Sequence, residues 1–317
     1  MKTSTLKTFC ALHSTPGDET EVFDALLTRW KQQGLDTRQI GTYAVIAEPG
    51  ERKKADTILL LAHADSPGFI VQSIPSSTEL EVLALGGVHP THDAELILKT
   101  STEKIPAHLH AAPENWTRTM PLKVTLDAPC NSVQKGDRLC WTPSWEETAD
   151  AIKSPFLDNR IGCALIADWY DQHTDYFTSM NVVLAASAME EVNGFGANVL
   201  AHAVKADLVL VLDITYTDEK QQISMGKGPV ITLSDASVLL STQVRDRLLK
   251  AETPLQTEVY NYSGTDARAF PAQGIPTPAI PVLIPTEGNH SPCEILHPAD
   301  LSVWPAALEA VANAILN

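Results

Sequence analysis

Four short apolar runs, each handing over to carboxylates or an imidazole, constrain this chain more than any other feature. Thr57 to Ala62 (TILLLA), Asn181 to Ser187 (NVVLAAS), Ala206 to Leu212 (ADLVLVL) and Pro276 to Ile284 have the length and composition of strands buried on both faces. Such strands belong to a largely parallel sheet covered by helices on either side. His63-Ala64-Asp65 stands at the end of the first run, Glu190-Glu191 follows the second, Asp213 is the first charged residue past the third, and His290 lies beyond the fourth. In open α/β sheets the edge outside the carboxyl ends of the strands is where ligands bind. A lone Glu-Glu pair reads as a solvated turn and a lone histidine as a structural residue; convergence of several strand ends changes both readings.

Between these runs the pattern is helical. Ser4 to Leu12 predicts a short helix, and Asp18 is placed to cap a second one that runs to about Gln33 and closes at Gly34. A strand is expected near Thr42 to Ala47. Phe195 to Lys205 and Ser237 to Lys250 read as helices, and Val303 to Leu316 as a last helix with Pro305 in its first turn. From Gly68 to about Ser154 the texture changes to short strand-like pieces separated by turn residues, an all-β module inserted in an α/β chain. Its His89, His92, His108 and His110 lack cysteine partners at zinc-site spacing and read as solvated. At Phe156-Leu157-Asp158-Asn159-Arg160 the α/β pattern resumes with a helix from Ile161 to Tyr170, where either Asp158 or Asn159 alone is compatible with a plain N-cap. Gly226-Lys227-Gly228 lacks the spacing of a phosphate loop.

A chain of 317 residues suffices for one large domain or a large and a small one, without staples. The net charge of −16 disfavours nucleic acid or an anionic membrane as partner, since both would be repelled. Five cysteines without a Cys-x-x-Cys pair read as reduced, core-filling thiols, and no signal-type or membrane-spanning apolar segment is seen, so a cytoplasmic location is expected.

His63, Asp158, Glu191, Asp213 and His290 thus come from five element edges. Three carboxylates gathered in one cleft repel one another unless cations lie between them. Two divalent metal ions with one hydroxide balance three carboxylates, and imidazole with carboxylate suits zinc first, with cobalt or manganese as alternatives. Asp65, two residues from His63 on the same side, has the place of the carboxylate that holds a metal-binding imidazole.

The order HxD, DN, EE, D and H resembles that of the co-catalytic dizinc aminopeptidases. Local sequences are similar to the glutamyl and tetrahedral aminopeptidase family, the family forty-two metallopeptidases: AHADSPGFIV resembles AHMDEIGFMV, LDNRIGC resembles LDNRxGC, MEEVNGFGA resembles QEEVGLRGA, and LDIT resembles VDVT, while GKGPVI, SGTDA, GIPT and HSPCEI also have counterparts. The resemblance implies a three-layer α/β/α dizinc exopeptidase domain, residues 1–67 and 155–317, with an inserted barrel-like β domain, residues 68–154, for assembly or substrate access. It implies a metal-dependent aminopeptidase acting on short peptides. His63 and Asp213 would bind one metal, Glu191 and His290 the other, and Asp158 would bridge them. Asp65 would orient His63 and Glu190 would be the general base. Many relatives form tetrahedral dodecamers, so a homo-oligomer between dimer and dodecamer is expected, dependent on the insert.

Ser66-Pro67 and Glu287-Gly288 depart from the family pattern at positions that are not ligands. Glu287, if beside the substrate amino end, would favour basic or neutral N-terminal residues. A dizinc deacylase of N-acyl amino acids is the runner-up. Endoglucanase chemistry needs carboxylates facing each other across a sugar, about 5 to 9.5 Å apart, which side-by-side Glu190 and Glu191 do not suggest.

Overall fold

A computed structural model describes residues 2–90, 92–251 and 255–317 of the chain. The chain opens with α1 (Thr3–Cys10), α2 (Thr20–Gln32), β1 (Asp36–Ile40), β2 (Ala44–Glu48) and β3 (Thr57–His63). Six strands follow: β4 (Gly68–Ser73), β5 (Glu79–Leu85), β6 (Ala94–Lys99), β7 (Lys104–Leu109), β8 (Leu122–Leu126) and β9 (Arg138–Trp141). Then come β10 (Glu146–Glu147), β11 (Ile152–Ser154), α3 (Leu157–Ala167), α4 (Trp169–Gln172), α5 (Asp175–Thr178), β12 (Asn181–Ser187), α6 (Phe195–Ala203) and β13 (Leu208–Tyr216). The last part is β14 (Val230–Ser234), α7 (Thr242–Leu248), β15 (Gln256–Val259), α8 (Ala269–Ala272), β16 (Ala279–Glu287), β17 (Glu294–Leu296) and α9 (Pro298–Leu316).

Among the described residues, eleven strands form one mixed sheet in the order β1-β2-β12-β3-β13-β16-β17-β11-β10, with β14 on β16 and β15 on β14. Its centre, β12-β3-β13-β16, is parallel, and β2 is antiparallel to β12. The apolar runs occupy this centre because only there are both faces covered. Alternate residues sort onto the two faces. Leu60, Leu184, Leu210 and Val282 pack with α1, α2, α3 and α9, while Leu59, Val183 and Val209 pack with α6 and α8. Helices on both faces make the three-layer α/β/α arrangement. Strands β4-β5-β8-β7-β6-β9 close a barrel with its own core around Phe69, Leu96, Leu139 and Trp141, while β10 and β11 pair into the large sheet.

Several local expectations are corrected. Asp18 does not cap α2: its carboxylate takes the Lys99 ammonium at 2.8 Å and lies 3.3 Å from His13 Nε2, fastening the N-terminal segment to the barrel. The polar strand β1, half-buried to exposed, was not anticipated. Helix α7 is shorter than expected, with Ser241 Oγ accepting the Val244 N–H as its cap. Helix α9 begins at Pro298, where His297 Nδ1 accepts the Ala299 N–H, so Pro305 lies inside the helix rather than in its first turn. Cys293 is exposed, not core filler; the other four cysteines are buried. Burial pushes the Cys10 and Cys140 thiols up to about 12, which leaves them unreactive. Gly226 and Gly228 donate their N–H groups to the Asp300 carboxylate at 2.7 Å each, so this loop holds one of the chain's own anions. No helix among the described residues is long and apolar enough to cross a membrane.

Each fully buried leucine in the central strands contributes about 1.5–3 kcal/mol. Leu60, fully buried between β12 and β13, makes a direct test. Leu60→Ala is expected to lower the unfolding free energy by about 2–5 kcal/mol, read as a lowered urea midpoint with unchanged m-value.

Candidate active site

The parallel register brings the strand ends to one level: His63 pairs with Ser187, and β13 runs beside β3, carrying Asp213 to the same edge. Asp213 lies within its strand, which continues to Tyr216, rather than beyond it. Asp158 enters from the start of α3, where it and Asn159 have non-helical backbone. The two residues divide the roles open to them. Asn159 Oδ1 accepts the Gly162 N–H at 3.0 Å in the manner of a cap, which frees the Asp158 carboxylate for the cleft. Glu190 to Val192 form a 3-10 turn after Met189 in the left-handed region. The two glutamates therefore leave the main chain from a tight turn.

Asp158 stands between two imidazoles. His63 Nε2 lies 3.1 Å from its Oδ1, and His290 Nε2 lies 3.0 Å from its Oδ2. Each imidazole has a second carboxylate beside it: Asp213 Oδ1 at 3.4 Å from His63 Nε2, and Glu191 Oε2 at 3.6 Å from His290 Nε2. The other ring nitrogens face backbone carbonyls, His63 Nδ1 that of Asp65 at 3.1 Å and His290 Nδ1 that of Gly87 at 3.2 Å. A neutral ring that donates from Nδ1 turns a lone pair, not a proton, toward the carboxylate. Lone pairs on nitrogen and oxygen at this distance repel unless a proton or a cation lies between them. Without a cation, the surrounding carboxylates would keep these rings protonated. Burial lowers the His290 imidazolium, but the Glu191 and Asp158 carboxylates outweigh it and raise it to about 10; His63 is likewise held well above its ordinary value, against burial, by Asp213 and Asp158.

Cations fit these residues. Asp158 Oδ1 and Glu191 Oε1 are buried without an aligned hydrogen-bond donor, and His63, Asp158 and Glu191 offer ligand atoms all within 4.8 Å of one another. Metal–ligand bonds of about 2.0–2.2 Å put neighbouring tetrahedral ligands roughly 3.3–3.6 Å apart, close to the separations seen here. All of the anticipated ligands and Glu190 line one cleft of about 600 Å³. Burial, reinforced by Asp266, Glu191 and Asp213, raises the Glu190 carboxyl well above its ordinary value, and burial pushes Glu191 up to about 8.

Asp65 lies behind the cleft. It meets His63 through its carbonyl, while its carboxylate, 3.6 Å from the ring, accepts the N–H of Glu190 on Oδ1 at 3.0 Å and of Glu191 on Oδ2 at 3.1 Å. Glu19 Oε1 accepts the preceding N–H, that of Met189, at 3.1 Å. Glu294 does the same for two further cleft residues, taking the Asp158 N–H at 2.9 Å and the His290 N–H at 2.8 Å. The Ser66 hydroxyl donates to the Asp158 carbonyl, giving that departure a supporting role. Gly87 is required sterically, since a Cβ there would lie 2.5 Å from His290 Nδ1.

Sequence reasoning missed Glu19, Glu294, Arg118 and Arg268. Glu294 sits in the HSPCEI stretch, but nothing local distinguishes it. Arg268 donates to the Glu190 carbonyl at 3.2 Å and lies 3.6 Å from its carboxylate, and Arg118 reaches the cleft from the barrel side. Glu287 is exposed outside the cleft lining and accepts a hydrogen bond from Thr217 Oγ1 at 3.3 Å. Asp65→Asn replaces one acceptor oxygen by a donor and leaves a glutamate N–H facing it. Activity or metal affinity is expected to fall about 10–100-fold with secondary structure retained, read by kinetics and metal content; unchanged values would show that the two N–H bonds do not position the turn.

The model of the M42 glutamyl aminopeptidase family matches residues 43–304. A putative aminopeptidase of Acetivibrio thermocellus is 26% identical over 94% of each chain. The glutamyl aminopeptidase of Lactococcus lactis is 25% identical over 88% of this chain and 87% of its own. Among solved structures, a TET1 peptidase of Pyrococcus horikoshii, which can assemble into a tetrahedron or a large octahedral shell, shares the fold with a TM-score of 0.84 at 21% identity over 98% of both chains. With that match across most of its length and the cleft at its strand ends, the chain belongs to the M42 glutamyl aminopeptidase family and is an aminopeptidase, a hydrolase of peptide bonds.

Proposed function

We propose that the cleft removes N-terminal residues from short peptides with two divalent metal ions, zinc first and cobalt or manganese as alternatives. His63 and Asp213 would hold one, Glu191 and His290 the other, and Asp158 both. The observation that carries this reading is the Asp158 carboxylate, whose two oxygens each face the Nε2 of a different imidazole, each imidazole with its own second carboxylate. When bound, such ions supply a water of depressed pKa and a Lewis-acid contact for a carbonyl oxygen.

The chain's own residues supply the rest. Glu190 takes the proton of the attacking water and returns it to the leaving amine. Arg268 keeps the Glu190 main chain in place and stands beside its carboxylate. Asp65, Glu19 and Glu294 hold the ligand-bearing backbone by hydrogen bonds to peptide N–H groups. A cleft rich in carboxylates suits the cationic amino terminus of an unblocked peptide. In this reading the catalytic part takes in β10 and β11, which belong to the large sheet, so it comprises residues 1–67 and 146–317 rather than the expected 1–67 and 155–317; the barrel, Gly68–Trp141, adds Arg118 and Gly86-Gly87 to the cleft wall and a surface for homo-oligomeric assembly. The shells formed by the Pyrococcus horikoshii relative support assembly.

Chelation is expected to abolish turnover of unblocked short peptides, with zinc, cobalt or manganese restoring it. A panel including blocked peptides, N-acyl amino acids and glucans checks the class: activity confined to N-acyl amino acids would replace this reading by a deacylase. Glu190→Gln is expected to keep both metals while kcat falls by roughly two to four orders of magnitude. Glu191→Gln is expected to lose one metal selectively and regain part of its activity with excess metal. The opposite pattern of metal content would reverse the two roles.

A further inference from the structure

The barrel carries a second constellation of ligand-type side chains, away from the catalytic cleft. Strands β6 and β7 are antiparallel, with Glu95 opposite His108. One step further, just outside both strands, Asp93 stands opposite His110. Because side chains alternate, Asp93, Glu95, His108 and His110 project from the same outer face, while Leu96, Ala107 and Leu109 fill the barrel core. Sequence spacing set these histidines aside as solvated; cross-strand pairing makes them neighbours.

Asp93, His108 and His110 offer ligand atoms all within 4.8 Å of one another. His108 Nε2 is 3.5 Å from Asp93 Oδ2, and the two imidazoles lie 5.2 Å apart at 76°. Each of the three also has a second polar atom engaged by a neighbour. Asp93 Oδ1 accepts the Ala111 N–H at 2.7 Å, His108 Nδ1 lies 3.0 Å from Glu95 Oε1, and His110 Nε2 lies 2.6 Å from Thr125 Oγ1. Metal-binding imidazoles are characteristically oriented in this way, with a carboxylate or hydroxyl on the nitrogen that does not ligate. A zinc with bonds of about 2.0–2.2 Å needs its ligands about 3.3 Å apart, a closure that half-exposed and exposed side chains can make by small rotations.

We propose that Asp93, His108 and His110 form a separate divalent-cation site of the zinc class on the outer face of the barrel, with Glu95 orienting His108. Two histidines and one carboxylate leave at least one position for water. The site fastens the root of two segments that reach the catalytic cleft. Asp93 follows the stretch that carries Gly86 and Gly87, and the Ala111 and Ala112 N–H groups, bonded to Asp93 and to the Pro90 carbonyl, begin the stretch that carries Arg118.

Zinc content of the holoenzyme, equilibrated with micromolar free zinc, is expected to exceed that of His108→Ala/His110→Ala by one ion per chain, with the same circular dichroism. Glu95→Gln should weaken this ion about 10–100-fold and spare the others. Calorimetric titration of the zinc-saturated catalytic form should show one further binding event in wild type. Equal zinc content in wild type and double variant, or no further event in the wild-type titration, would overturn the proposal.

Discussion

Buried negative charge at the carboxyl edge of the central sheet is the constraint around which the rest of this protein is arranged. Asp65, Asp158, Asp213 and Asp266 are at most 5% exposed, and Glu190 and Glu191 stand beside them. Burial, reinforced by neighbouring carboxylates, pushes such groups toward protonation: Asp266 rises to about 6, Glu191 and Glu294 to about 8. Asp158 goes the other way. Its burial is outweighed by His290 and His63, which hold it far below the carboxylate range. The set is thus frustrated in its charge rather than in its packing. Cations between the imidazoles and carboxylates relieve it, and without them protons must do so. Arg160, buried with its guanidinium on the Ala64 and Ser14 carbonyls, is the fixed positive charge behind the cleft.

That charge is tolerable only because the backbone beneath it is pinned. Three consecutive N–H groups, those of Met189, Glu190 and Glu191, point back at Glu19 and Asp65, and those of Asp158 and His290 point at Glu294. An acceptor carboxylate serving two peptide N–H groups fixes two residues at once. Asp158, Glu190, Glu191 and His290 thereby keep their positions although none of them lies in a regular strand. Unpaired N–H groups at this depth would cost about 1–3 kcal/mol each. The same bonds hold the 3-10 turn from which the neighbouring glutamates reach different partners, Glu190 lying 3.6 Å from Arg268 and Glu191 3.6 Å from His290.

Much of this was legible in the sequence, for a physical reason. Central strands are buried on both faces, so Thr57–His63 and Asn181–Ser187 announce themselves by apolar continuity, and the charged residue after each run marks the ligand edge. Strand β1, Asp-Thr-Arg-Gln-Ile, is paired only to β2 and half wet, so neither continuity nor alternation marks it. The start of α9 was obscured because a histidine supplies its cap. Glu19, at the head of α2, looks like an ordinary helix-start acid, and Glu294 resembles any acid in a short strand. Their part is defined by N–H groups far away in the chain, at Met189 for Glu19 and at Asp158 for Glu294, whose second partner, His290, is only four residues off and gives no hint of the first.

Spacing rules for metal sites carry the same limitation. Rules built on short intervals describe loops and helices, in which ligands come from one piece of chain. In a sheet, residues two apart share a face and the third ligand comes from the neighbouring strand, at a separation set by hairpin length. His108 and His110 with Asp93 follow that geometry, and the catalytic cleft extends it across crossover connections: the register of the parallel strands levels His63 and Asp213 with the turns and helix start that carry Glu191, His290 and Asp158. Strand register is therefore the variable that turns scattered acids and imidazoles into a site. One residue of slip in β3 against β12 would turn His63 to the opposite face and leave Asp158 without its first imidazole. The apolar faces of Leu60 and Leu59 forbid that slip, because each would be carried into the layer packed for the other. The chemistry at the edge depends in this way on the packing of residues that never touch it.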